Sequence, residues 1–160
     1  MWNFTTFFLW LHLLALLLWI GGLFFELLIL YPAAGRSEDA ATYRLLGAAE
    51  IRFGAVAWAA VLLLVVSGLF NLFNRMSLGG LTRQHMTILA VKVAALVLLI
   101  VIQHVRVTVF VRHFKAAGES VDGDVLSRAA SSRSVCIQLV SVQLSIALIA
   151  VYFGLALRGY

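Results

Sequence analysis

The chain has 160 residues, of which 63% are hydrophobic and only 12% charged, and its mean hydropathy is +1.03. A soluble domain is usually about 45–50% apolar and about 25% charged, so this composition reads as an integral membrane protein; four spans of about 20 residues use most of the length and leave no room for a soluble domain. The net charge of +5 does not point to nucleic acid, because the basic residues sit between apolar stretches rather than in one patch. A single cysteine, Cys136, excludes an internal disulfide and any CxxC site, and reads as a small apolar filler.

The first predicted span covers residues 5–31 and carries His12, Trp19 and Glu26 at steps of seven. Seven steps return a helix to within ~20° of its starting direction, so the three share one face while the others hold mostly apolar residues. An ionisable group inside a span costs ~2.5 kcal/mol or more unless it faces protein, which turns this stripe inward. The run is too long for a signal peptide, and Met1, Trp2 and Asn3 supply no basic segment, so it is expected to stay in the mature chain. Pro32 is expected to end the helix at Tyr31.

A charged loop is expected from Ala33 to Ile51, with room for a short interfacial helix. The second span, 52–74, is rich in Gly and Ala, which let helices approach closely, and places Ser67, Asn71 and Asn74 on one edge. The third, 85–111, has Lys92 inside its apolar run; Lys92, Leu96, Leu99, Gln103 and Arg106 share a face, and His104 points about 120° away from Lys92. Residues 112–133 read as a solvated loop, where Asp122 and Asp124 fall far short of a calcium loop. In the fourth span, 134–157, Ser134, Gln138, Ser141, Ser145 and Tyr152 form a polar stripe expected to face inward. Short connections make the simplest fold all-α: a single-domain, up-down-up-down four-helix bundle.

With four spans, the termini and the 74–83 loop share a side bearing Arg75, Arg83 and Arg158. The other side bears Arg36, Arg44, Arg52, Arg106, Arg112, Lys115, Arg128 and Arg133, so the termini are expected outside. At ~1.5 Å per residue, His12 and Lys92 fall ~7 and ~9 Å to the outer side of the midplane, level with Ser67 and Asn71. An inner polar layer holds Glu26, His104, Gln138 and Ser141, with Arg52 and Arg106 at its rim. The outer layer reads as a ligand or redox site. The inner one reads as a structural Glu–Arg–Gln network in preference to a second site.

Several of these residues, in this order and spacing, resemble the copper resistance D (CopD) family of bacterial inner-membrane proteins. They are His12, then Trp19-Ile20-Gly21-Gly22 with Phe24, Arg52-Phe53 opening the second span, Ser67-Gly68-Leu69 closing it, and Lys92 in the third. The similarity covers nearly all four spans. It implies a small multi-pass inner-membrane protein of copper handling, often linked to a periplasmic copper-binding partner; a second membrane subunit is the other partner expected, and the charge asymmetry above puts both termini on the periplasmic side. It also implies distant kinship with HemJ-type protoporphyrinogen oxidases, small helical membrane proteins associated with haem b. Their important first-span His and third-span Lys carry over to His12 and Lys92.

The candidate metal ligands are therefore His12 and His85, at the mouth of the third span, with Lys92 as charge partner. Cu(I) favours sulfur, yet the methionines and Cys136 are scattered, which leaves the imidazoles. Haem b is the alternative cofactor, with His12 as axial ligand, Gly21 and Gly22 admitting the ring, and Trp19 and Lys92 beside it. A third reading is an assembly subunit whose polar stripes bind helices together at about 0.6 kcal/mol per hydrogen bond. No nucleophile–His–acid set, phosphate loop or aromatic-basic surface favours a hydrolase or a nucleic-acid binder.

Overall fold

The computed structural model describes the backbone of residues 4–37, 39–77, 83–120 and 122–156, with the side chains at 75, 77, 83–85, 88 and 154–156 outside the description. Helix α1 runs over Phe4–Phe25, widens into one π turn at Glu26–Leu30, and closes again over Tyr31–Ala34. Helix α2 is Ala40–Ser77. Helix α3 repeats the plan of α1: Arg83–Val105, a π turn at Arg106–Phe110, then Val111–Glu119. Helix α4 is Gly123–Ala156. The fold is an all-α four-helix bundle, no strand occurs among the described residues, and four helices are long and apolar enough to cross a membrane.

The helices are longer than the apolar runs that announce them. The 38 residues of α2 extend ~57 Å against a hydrocarbon thickness of ~30 Å. The loops expected over Ala33–Ile51 and Arg112–Arg133 are therefore mostly helix. Their mean polarity hides a helical period: Tyr43, Leu46, Gly47 and Glu50 are buried on one face of α2 while Arg44, Leu45 and Arg52 stay exposed. On α3, Val111, Phe114, Ala117 and Gly118 do the same.

Pro32 does not end α1, contrary to expectation. The preceding π turn, in which the Tyr31 N–H bonds the Glu26 carbonyl, widens the helix where a proline lacking its N–H would otherwise crowd the previous turn. Within the α3 π turn, Thr108 Oγ1 donates to the His104 carbonyl at 2.7 Å.

Each end at the 35–39 and 120–122 connections is closed by side chains. Asp39 caps α2, accepting from the Thr42 N–H at 2.8 Å, and Asp122 accepts from the Asp124 N–H at 3.0 Å before α4. Arg133 of α4 donates to the Ala34 carbonyl at 2.9 Å, and Arg44 of α2 donates twice to the Gly118 carbonyl, at 3.2 and 2.7 Å. These cations sit where α1 and α3 end, at the negative poles of their dipoles.

The seam between α1 and α2 is the longest. Asn74 donates to Thr5 at 3.2 Å, Phe8 stacks on Phe70 with centroids 3.8 Å apart, and His12 meets Ser67 at 2.9 Å. Further along, Phe53 lies so close to Gly22 that an added Cβ would fall 1.9 Å from its ring. The first part of α3 packs along α4, whereas Val111–Glu119 packs against both α2 and α4. Trp19, Leu23, Tyr31, Tyr43, Phe114, Cys136 and Val140 fill the core.

Candidate functional site

Where the four helices converge, the core is ionic. Arg106, wholly buried, donates through Nη2 to Glu26 Oε2 at 2.6 Å and to both oxygens of Glu50 at 3.1 Å. Its Nη1 reaches Gln143 Oε1 at 3.2 Å. The Tyr31 hydroxyl donates to Glu50 Oε1, and Gln143 passes the network on to Gln103 Oε1 at 3.1 Å and the Leu99 carbonyl at 3.4 Å. Cys136 lies buried against Tyr31 on the α4 side. Every helix thus contributes: Glu26 and Tyr31 from α1, Glu50 from α2, Gln103 and Arg106 from α3, Cys136 and Gln143 from α4.

Two local facts mark this centre. Glu26 and Arg106 each open the π turn of their helix, so the backbone widens on both sides of the same ion pair; such turns gather at functional sites. In addition, Glu26 Oε1, Arg106 Nε, Gln103 Nε2 and Trp19 Nε1 are buried with no hydrogen-bond partner among the described residues. Buried polar atoms are nearly always paired, so three such atoms within this one network set it apart from a closed structural clasp.

The second polar feature is His12, half-buried on the α1–α2 seam. His12 Nδ1 and Ser67 Oγ lie within hydrogen-bonding distance, and Ser67 Oγ also reaches the Leu63 and Leu64 carbonyls; with the Ser67 hydrogen given to one of those carbonyls, Ser67 accepts from a proton on Nδ1. In the neutral ring the lone pair then sits on Nε2. Gly68 lies beside the ring, with an added Cβ 3.8 Å from His12 Cε1. Residues 55 positions apart in the sequence, both within the resemblance drawn above, therefore meet here.

The other predicted positions are distributed as follows. Trp19 is buried between His12 and Glu26 on the α1 face, as its spacing implies. Lys92 is exposed, on the part of α3 that packs along α4, whereas His12 sits on the α2 seam. The His85 side chain lies outside the described residues. Among the expected inner-layer residues, Glu26 is in the ionic centre; His104, Gln138 and Arg52 occupy exposed positions and are not. His104 instead turns edge-on to Trp58, with centroids 6.5 Å apart. Arg106, expected at the rim, is the centre's cation.

Sequence reasoning also missed Glu50, assigned to a loop, and Gln143, which lies off the expected α4 stripe. The face of α4 turned inward holds Ala129, Ser132, Cys136, Val140, Gln143 and Ala147, while Ser134, Gln138, Ser145 and Tyr152 face out. Serines tolerate that exposure because they bond their own helix: Ser141 donates to the Ile137 carbonyl and Ser145 to the Ser141 carbonyl, both at 2.8 Å. The signal that would have found the centre is charge within helical reach of the apolar runs, Glu50 and Arg106, rather than small polar residues inside them.

No group of three or more His, Cys, Asp or Glu side chains able to hold a metal occurs among the described residues. Comparison of the chain with protein-family models, curated proteins and solved structures finds no match.

Proposed function

We propose that the chain is a CopD-like multi-pass protein of a bacterial inner membrane that takes part in copper uptake or resistance, with His12 as its metal-binding imidazole. The observation that supports this is the Ser67–His12 hydrogen bond. It holds the ring through Nδ1, and in the tautomer with the proton on Nδ1 the ring would offer Nε2 to a metal, the arrangement by which proteins orient a ligating histidine from behind. Cu(I) accepts low coordination by imidazole, so one or two such rings fit its chemistry, and His85, at the same end of the bundle by sequence, is the second ligand proposed. Lys92 enters as a charge partner rather than a ligand. The three basic residues on the terminal side against eight on the other favour both termini in the periplasm, where a soluble copper-binding protein would reach the His12 end.

Metal analysis of the detergent-purified protein tests this reading. Bound copper is expected in the wild type and a large loss in His12→Ala, together with altered cellular copper on deletion; unchanged values in both assays remove it.

Haem b is the second reading, favoured by the finding of one oriented imidazole without a three-ligand group among the described residues, since haem iron needs only one or two axial histidines. It requires a Soret band that His12→Ala abolishes. A colourless, copper-free protein from haem-replete cells leaves the assembly subunit, in which His12→Ala lowers stability alone.

A further inference from the structure

The ionic centre presents an imbalance that the copper reading does not use. Two carboxylates, Glu26 and Glu50, face one guanidinium, Arg106, and all three are at most 1% exposed. The groups turned toward them from the other elements are the Tyr31 hydroxyl of α1, the Cys136 thiol and Gln143 of α4, and Gln103 of α3. None of these is a cation at neutral pH, so with both acids ionised the centre carries one uncompensated negative charge in a dry interior, where an unpaired charge is far costlier than a neutral acid.

The two carboxylates are not equivalent. Glu50 receives Tyr31 and Arg106, with a donor on each oxygen. Glu26 receives Arg106 on Oε2 only, and Oε1 has no partner among the described residues. Ionisation is supported best where donors surround both oxygens. We propose that Glu26 Oε1 is an exchangeable proton-binding site at the heart of the bundle, the centre taking up one proton from solvent to become electrically neutral.

The step is a simple protonation: the proton comes from bulk water, the carboxylate becomes a carboxylic acid, and Glu50 and Arg106 remain a neutral pair. Glu26 and Arg106 each open a π turn, a local widening of the helix that recurs at functional sites. A membrane protein that binds one proton between its helices has the element needed to couple another event to a proton gradient.

Infrared spectroscopy of the full chain in lipid nanodiscs tests this. At neutral pH the wild type is expected to show the carbonyl band of one buried protonated carboxylic acid, moving on glutamate-selective 13C labelling and again on transfer to D2O without unfolding. Glu26→Gln removes the carrier and Glu50→Gln removes the need for a proton, so the band should vanish in both. Absence of the band from the wild type, its persistence in a folded Glu26→Gln variant, or its failure to shift in D2O overturns the proposal. So does a band that appears only when sodium is withdrawn, which assigns the balancing charge to a metal cation. The label and D2O readouts use the wild type, so they decide whether the centre holds an exchangeable proton on a glutamate even if a variant fails to fold, and neither depends on copper or haem.

Discussion

Arg106 illustrates how much a single buried cation commits a helical protein. Its two Nη nitrogens serve Glu26, Glu50 and Gln143, and no solvent reaches it. Removing one partner of such a set leaves the others charged and buried, which costs about 3–5 kcal/mol, whereas replacing the whole set by neutral groups is often neutral. Arg106→Met is therefore expected to destabilise the bundle by about that amount, and adding Glu26→Gln and Glu50→Gln to recover most of it, as read by denaturant titration in micelles. A triple variant weaker than the single one would show that the charges stabilise the fold on balance. Glycines offer a second test. A Cβ on Gly118 would stand 3.1 Å from the Arg44 backbone, which cannot yield as a side chain can, whereas Gly21 has nothing within 4 Å. Gly118→Ala should cost about 1–3 kcal/mol by overpacking, while Gly21→Ala should gain about 0.5–1 kcal/mol of helix propensity. Equal effects at the two sites would contradict the packing described.

At the scale of the element, what was legible was periodicity inside the apolar runs. His12, Trp19 and Glu26 do share the inward face of α1, and Leu99, Gln103 and Arg106 that of α3, whereas Lys92, expected on the same face, is exposed. What was not legible was any element whose burial depends on a neighbour. The first turns of α2 look like a loop because Arg44 and Arg52 dilute the hydropathy, yet Tyr43, Leu46 and Glu50 are buried by α1 and α3. On α4 the polar side chains mark the wrong face, since a serine satisfied by its own carbonyls gives no information about direction. The start of α2 carries a pH signature. The Thr42 backbone N–H holds the exposed Asp39 carboxyl below the ordinary aspartate value of 3.8, because that hydrogen bond favours the charged form. A depressed native value means that the cap contributes fully above 3.8 and is lost as the pH falls below it through the lowered native value. Asp39→Ala should speed amide exchange over residues 40–43 at neutral pH and abolish the acid-dependent part of that exchange. An unchanged pH profile would place the cap elsewhere.

Across the whole molecule the two ends differ in how they are tied. At the basic end, Arg44 and Arg133 cross between helices, Tyr43 and Phe114 stack with centroids 6.2 Å apart, and the ionic centre lies just within. At the opposite end, the first part of α3 packs along α4 alone to any extent, and Val91, Val93, Val97 and Leu98 remain exposed. Local opening is cheapest where few buried contacts are lost, so the bundle should fray from the end that holds His12 and Lys92 and resist at the end that holds Arg106. Hydrogen exchange followed by mass spectrometry in nanodiscs should find the slowest amides around residues 46–57, 103–114 and 136–144, and faster exchange over 86–98 despite its apolar sequence. Slow exchange over 86–98 in the monomeric protein would mean that lipid alone suffices to protect that face. Slow exchange that appears only at high protein concentration would mean that a second chain covers it, placing His12 and Lys92 beside an interface.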